Sequence, residues 1–237
     1  MKGKLYLIPN TLGHSDPWTT IPASVPEVTG RVRHYIVENV RTARRFLRLI
    51  DPGIVIDDLV FMELNKHTVQ AELPAMLAPL HSGFDMGIIS EAGVPGVADP
   101  GAQIVALAHR EDIRVIPLTG PSSILLALMA SGLNGQQFRF CGYLPVGRQE
   151  RQKALKNLEQ LVIRTKETQI FIEAPYRNDQ LLEEILSACH ADLHLTIAVD
   201  LTTPEEMVRT LTVGEWRKKR PALHKRPALF LIGSPVI

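Results

Sequence analysis

The sequence predicts an α/β protein made of two α/β domains, the first with a mostly parallel sheet and flanking helices, the second with a mixed sheet and helices. Three observations predict it. In the first half, short apolar runs alternate with longer amphipathic ones, which is how β-α-β units read. A dense run of backbone punctuation, Pro117-Leu118-Thr119-Gly120-Pro121, then divides the chain. Beyond it, closely spaced late strands lack intervening helices and must pair antiparallel or in a mixed sheet. The expected domains are residues 1–117 and 118–237.

Taken in order, apolar runs predict strands at 5–8, 32–37, 59–63, 86–89 and 113–117. Between them, apolar residues recurring at i, i+3 and i+4 predict helices at 41–50, 68–80 and 102–110. Ile104, Leu107 and Ala108 form the stripe of the last one. Ser122 and Ser123 are suited to cap a helix at 124–130 that stops at Gly132. A strand at 138–141, a helix at 151–164, a strand at 169–173 and a helix at 179–189 follow. Strands at 195–199, 209–213 and 228–232 complete the chain.

Composition excludes several classes. With 237 residues, 45% hydrophobic and 22% charged, the chain is globular, neither disordered nor fibrous. No stretch approaches the ~20 apolar residues of a bilayer span. The lysine-bearing N-terminus has too short an apolar run for a signal peptide and no small-residue cleavage site, so a cytoplasmic location is expected. Cys141 and Cys189 form no Cys-x-x-Cys pair and read as free thiols. His190 and His194 have the i, i+4 spacing of a metal pair but straddle a predicted helix end without a third ligand, so no metal site is expected. Neither G-x-G-x-x-G nor G-x-x-x-x-G-K-[ST] occurs, which disfavours nicotinamide and nucleoside-triphosphate chemistry.

The richest segment is Ser90-Glu91-Ala92-Gly93-Val94-Pro95-Gly96-Val97-Ala98-Asp99-Pro100-Gly101. It leaves a predicted strand and enters a predicted helix, the place where open parallel sheets bind ligands. Its glycines let backbone approach a ligand, its prolines stiffen the loop, and Asp99 is placed to cap the helix. A plain turn would use the same residues.

This segment resembles the S-[DE]-A-G-x-P-x-x-x-D-P-G pattern of the tetrapyrrole (corrin/porphyrin) methylase superfamily, in particular its branch that methylates a cytidine ribose 2′-hydroxyl in small-subunit ribosomal RNA. Three more segments are similar to that branch in the same order: Val115–Ser123, then Ala130–Leu133 with Phe138–Pro145, then Phe171-Ile172-Glu173-Ala174-Pro175-Tyr176-Arg177. The resemblance implies S-adenosylmethionine (SAM) in the cleft between the domains. It assigns the cofactor to Pro9, Ser90, Glu91, Ala92, Gly93, Pro95, Asp99, Pro121, Ser122, Ser123, Tyr143, Ala174, Pro175, Leu201, Thr202, Pro227 and Ala228. It also implies a homodimer, and ribosomal RNA or the small ribosomal subunit as partner.

Methyl transfer needs positioning more than acid–base help. Glu173 and Arg177, which flank one turn, are the candidate catalytic residues; a structural ion pair is the other reading. Where the branch carries E-D-T-R, this chain reads Glu38-Asn39-Val40-Arg41, and its A-R-E-L-T-K strand reads Ala198-Val199-Asp200-Leu201-Thr202-Thr203. Arg41, Arg44, Arg45 and Arg48 lie on one helical face and are the candidate RNA contacts, since cationic stripes suit phosphate backbones. A solvated helix face is the plainer alternative. A tetrapyrrole or other small-molecule acceptor, or a SAM-binding protein without catalysis, are the alternative functions.

Overall fold

A computed structural model describes residues 1–13, 16–65 and 67–236. Two compact units emerge, Met1–Ser122 and Ser123–Ile237, with the division five residues after the expected one at 117. Among the described residues no helix is long and apolar enough to cross a membrane.

The first unit runs β1 (Leu5–Ile8), α1 (Ser24–Thr29), β2 (His34–Val37), α2 (Val40–Ile50), β3 (Val60–Glu63), α3 (Ala78–His81), β4 (Met86–Ile89), α4 (Gly101–Arg110) and β5 (Val115–Pro117). All five strands are parallel, in the order β3-β2-β4-β1-β5. The central strand β4 is buried throughout, which is why it reads as a continuous apolar run without alternation. Side chains still segregate by face. Tyr6, Ile8, Tyr35 and Val37 pack with Val25 and Val28 of α1 and Phe46 and Leu47 of α2. Leu5, Ile36, Met86 and Ile88 pack on the other face with Leu80 of α3 and Ile104 and Ala108 of α4.

Two helical expectations change. The predicted helix 68–80 is a 3-10 segment, Gln70–Leu77, followed by the single turn α3. Pro74 lies inside it, and a proline there lacks the N–H that an α-helical bond requires. Conversely α1 was not expected, because six residues with Pro26 among them show too little periodicity to read. It is held by burial of Val25 and Val28.

The second unit runs α5 (Ser123–Ser131), β6 (Phe138–Tyr143), α6 (Arg148–Thr165), β7 (Thr168–Ile172), α7 (Asn178–Ala188), β8 (His194–Val199), β9 (Met207–Thr212), α8 (Val213–Trp216) and β10 (Ala228–Gly233). Its sheet order is β6-β7-β10-β8-β9. Only β6 and β7 are parallel, so the sheet is mixed, as its sequence spacing predicts. Phe171 and Phe230 stack at 6.0 Å in a core closed by α6 and α7. The last turn, α8, cuts short a strand expected to reach 213. Thr212 and Glu215 form a reciprocal capping box there. That T-x-x-E signature is legible in the sequence and ends the strand at Thr212.

Candidate functional site

The strands of the first sheet deliver their carboxyl ends to one edge. From β1 the chain crosses toward β2 and β3; from β4 it crosses the other way, toward β5. β1 and β4 are neighbours in exact register, Ile8 opposite Ile89. The crevice of such a sheet opens where crossovers diverge. Here it lies between the turn after Ile8 and the glycine-rich loop after Ile89.

Asn10 joins these two turns, and sequence reasoning did not single it out. Its Nδ2 donates to the carbonyls of Ser90 (3.0 Å) and Glu91 (3.1 Å), and its Oδ1 accepts from the Thr11 N–H at 2.8 Å. Its backbone N–H donates to Gly93 O at 2.8 Å, and Gly93 N–H donates back at 3.2 Å. Only an amide side chain supplies both donors and an acceptor in this way. The Ser90 hydroxyl donates to Gly93 O at 2.9 Å. Gly93 has φ +70°, and a Cβ there would stand 3.0 Å from Leu12 Cδ2 and 3.1 Å from the Pro121 carbonyl oxygen. Pro9 packs so closely on Gly120 that a Cβ on the glycine would fall inside its ring. Pro9, Ser90, Glu91, Ala92, Gly93, Pro95, Pro121 and Ser122 thus belong to one unit, with the first five and Pro121 knit around these turns.

Asp99 does not occupy the cap position expected of it. The N-cap of α4 is Pro100, already α-helical, so the helical turn starts one residue late for an aspartate cap. Asp99 instead ties the loop to the helix: Oδ1 accepts from Gly96 N–H (2.9 Å) and Gly101 N–H (2.6 Å). It also faces Glu38, a second residue the sequence reading missed. Glu38 Oε1 accepts from the Glu91 N–H at 3.1 Å. Burial, then the neighbouring Asp99 and Glu91 carboxylates, push the Glu38 carboxyl above its ordinary value. A carboxyl raised on folding costs stability once pH exceeds its folded pKa and costs none below the unfolded one. Glu38→Gln keeps the acceptor oxygen and removes the charge. Its melting temperature is expected to exceed wild type at pH 8 and to match it at pH 4; scanning calorimetry at the two pH values checks this.

The helix after β2 carries the cationic face. Asn39 caps α2, accepting from the N–H groups of Arg41 (2.9 Å) and Thr42 (3.2 Å). Ala43, Phe46, Leu47 and Ile50 are buried, and the three larger side chains stabilise by about 1.5–3 kcal/mol each. Arg41, Arg44, Arg45 and Arg48 are all exposed and line an open groove of about 550 Å³ with Asn39, Val40 and Glu63. Among the described residues none of the four has a carboxylate partner. Arg44 lies over the Phe61 ring at 5.5 Å.

In the second unit, one end of the sheet gathers Tyr143, Ala174, Pro175, Leu201, Thr202, Pro227 and Ala228. The antiparallel β10 begins where β7 and β8 end: Leu229 pairs with Ile172 and Ala228 with Val199. Tyr143 closes β6 opposite Ile172, after a register shift that follows Phe140, and is exposed. Cross-bonds sew the turns together. Lys225 N–H donates to Pro175 O (3.0 Å), Asp200 N–H to Pro227 O (3.0 Å), and Arg226 Nε to Asp200 Oδ2 (2.6 Å). Thr202 has φ +70°, and its hydroxyl is buried with no hydrogen-bond partner among the described residues. Ser123 is the first residue of α5.

Glu173 and Arg177 do form an ion pair, Oε1 to Nη2, at 2.6 Å. Glu173 Oε1 also accepts from its neighbour's N–H, Ala174, at 2.7 Å, and its Oε2 lies 3.8 Å from Arg151. The Glu173 side chain is 1% exposed and that of Arg177 26%. The carboxylate is therefore the buried anchor and the guanidinium the presented group. Behind them Arg151 makes a two-point contact to Glu184 (2.7 and 2.6 Å) and donates to the carbonyls of Pro145 and Val146. Among the described residues no group of three or more His, Cys, Asp or Glu could hold a metal ion.

Comparison with known proteins adds a second line of observation. The sequence pattern of the Tetrapyrrole (Corrin/Porphyrin) Methylases matches residues 36–216. The chain is 32% identical to the Ribosomal RNA small subunit methyltransferase I of Halalkalibacterium halodurans, over 88% of this chain and 68% of that protein. It is 30% identical to the protein of the same name from Escherichia coli O157:H7, over 98% of this chain and 78% of the other. Among solved structures, the methyltransferase CobJ is similar in fold, with TM-score 0.64 and 16% identity over 98% of this chain and 94% of that one.

Proposed function

Because the chain belongs to the tetrapyrrole (corrin/porphyrin) methylases, a SAM-dependent methyltransferase family, we propose that it methylates a ribose 2′-hydroxyl in small-subunit ribosomal RNA. The observation that carries the choice of acceptor is the face of four exposed arginines, without carboxylate partners among the described residues, beside the loop after β4. Such a surface costs stability through self-repulsion and suits a polyanion, where each neutralised phosphate releases counterions. The relatives named for small-subunit RNA methylation support the same reading.

The residues fit the cofactor. SAM carries an amino-acid end and an adenine that need hydrogen-bonding groups, and an apolar remainder that needs cover. Among the described residues the buried Thr202 hydroxyl lacks a partner, the Pro9–Gly120 contact brings backbone close, and Tyr143 is exposed at the strand ends. When bound, SAM supplies an electrophilic methyl group on a sulfonium that departs as a neutral thioether. In the proposal, Asn10 holds the Ser90–Gly93 turn in shape for it. Arg177 would hold a cation beside the 2′-oxygen, whose proton would pass to solvent water, and Glu173 positions that cation. The hydrogen bond that Arg177 donates to Glu173 raises the Arg177 pKa further, so its charge is constant over any working pH.

Arg177→Ala is expected to lower the methyl-transfer rate by about 10²-fold while leaving S-adenosylhomocysteine affinity unchanged, as read by single-turnover kinetics and calorimetry. Glu173→Gln should give a smaller loss of the same kind. The reading carries with it a cytoplasmic location and a homodimer, for which the exposed Leu125 and Met129 on one face of α5 offer an apolar surface. The decisive test is incubation with tritiated SAM and small ribosomal subunits from a strain lacking the protein. Label in RNA supports the proposal; label confined to a small-molecule extract overturns it.

A further inference from the structure

A second hollow of about 540 Å³ lies against the first arginine groove, and its chemistry differs. It is lined by Asn10–Gly13 from the turn after β1, by Thr42, Arg45, Phe46 and Leu49 from α2, and by Glu91 and Ala92 from the loop after β4. Its volume falls in the ~300–1,000 Å³ range of small-molecule sites. Leu12, Phe46 and Leu49 make its walls apolar. Leu49 is 48% exposed, a large aliphatic side chain left open to solvent on a helix whose other exposed positions are largely charged. At one side, the Thr42 hydroxyl donates to Glu91 Oε2 at 3.3 Å, a polar edge with unused acceptor capacity. Arg45 lines both hollows.

We infer that this hollow is the seat of the acceptor nucleotide: an unstacked base of single-stranded RNA lies on Leu12, Phe46 and Leu49, its sugar meets the Thr42–Glu91 edge, and Arg45 takes its phosphate. The inference rests on the reading that the acceptor is RNA. Proteins that recognise single-stranded RNA read its unstacked bases by packing on their faces and bonding their edges, and bond its 2′-hydroxyls. The apolar wall offers such a face to the base, and the Thr42–Glu91 edge offers its spare acceptor capacity to the sugar hydroxyl. A phosphate is covalently tied to each sugar, so a base pocket must have a cation at its rim, and Arg45 stands there. Arg41, Arg44 and Arg48 continue the cationic track along the helix for the flanking phosphates. Ala92 and Glu91 place the hollow directly against the loop assigned to the methyl donor, so a sugar seated there is next to it within one unit of the protein. Charge complementarity selects a nucleic acid over an apolar peptide as occupant.

Two variants of the full-length protein test this. Leu49→Trp fills the hollow from an already exposed position, and Arg45→Gln removes the rim cation without shortening the side chain greatly. Each is measured for affinity to a fluorescent single-stranded hexaribonucleotide by anisotropy across a salt series, and for S-adenosylhomocysteine by calorimetry. Both variants should bind the oligonucleotide about tenfold more weakly and S-adenosylhomocysteine within twofold of wild type. Arg45→Gln should also flatten the dependence of log affinity on log salt by about 0.7, the contribution of one single-strand phosphate. A 4-thiouridine in the oligonucleotide should cross-link to peptides containing residues 10–13 or 42–49. Unchanged oligonucleotide affinity, no wild-type affinity at low salt, or cross-links confined to other peptides would overturn the inference. So would an equal loss of S-adenosylhomocysteine binding, which would make the hollow the donor's. If wild type cross-links as expected but transfers no label to small ribosomal subunits, the proposed function fails while the nucleotide seat stands.

Discussion

Replacing Arg151 by alanine is expected to destabilise the protein by about 3–5 kcal/mol, the cost of leaving a buried charge without its partner. Arg151 is 2% exposed on α6, and its guanidinium serves four groups at once. Nε and Nη2 hold the two oxygens of Glu184 on α7, Nη1 holds the Pro145 and Val146 carbonyls, and Nη1 faces Glu173 at 3.8 Å. Removing it strands Glu184 with Gln180 as its one remaining side-chain donor among the described residues. The pH dependence follows from Glu184. The Arg151 hydrogen bonds hold its carboxyl below the usual range. A carboxyl depressed on folding contributes stability above its unfolded pKa, and that contribution is lost as pH falls through the folded pKa. Wild type should therefore lose stability on the acid limb, and Arg151→Ala should lose less there, because the Glu184 contribution is already gone at neutral pH. Denaturant titrations at pH 7 and pH 3.5 read both effects. A double substitution of Arg151 and Glu184 by apolar residues of similar volume should recover much of the loss, since the penalty lies in the unpaired charge. A loss below 1 kcal/mol at pH 7 would mean that Glu184 finds another partner.

Asn10→Asp should be the most damaging single-atom change at the crevice. It replaces the two N–H donors that face the Ser90 and Glu91 carbonyls by an oxygen, so a buried carboxylate would confront two carbonyl dipoles. Expected are a stability loss of about 1–3 kcal/mol and, because the Ser90–Gly93 turn loses its tether, at least a tenfold rise in the S-adenosylhomocysteine Kd. Asn10→Ala lacks the repulsion and should lie between. Calorimetry of binding separates the two effects from global unfolding. Asn10→Asp binding S-adenosylhomocysteine like wild type would detach this turn from the cofactor.

How much of this was legible before any fold was known differs by the range of the interaction. The loop at 90–101 announced itself because its glycines and prolines stand at fixed offsets within one linear segment. The alternation of apolar runs located all ten strands within a few residues, since burial on both faces of a sheet selects such runs. The arginine face of α2 was readable from i, i+3, i+4 spacing alone. Asn10 and Glu38 were not. Each acts across strand ends on residues 80 or 53 positions away, and nothing in their own neighbourhood distinguishes them from turn residues. The Glu173–Arg177 pair lies within four residues and was anticipated, but the partners of Arg151, 33 and 22 positions on, were not.

By itself the sequence determined the class of fold, the order of its elements, the glycine-rich loop and the positively charged helix, because each follows from local periodicity or local backbone constraint. Tertiary structure alone decided that β1 lies beside β4, that β10 starts where β7 and β8 end, and hence which turns meet. Strand order is set by which faces can be buried together and by loops of many residues, a global minimum of exposed apolar area that no window of sequence contains. The crevice tether at Asn10 and the hollow between α2 and the glycine-rich loop exist only once that choice is made.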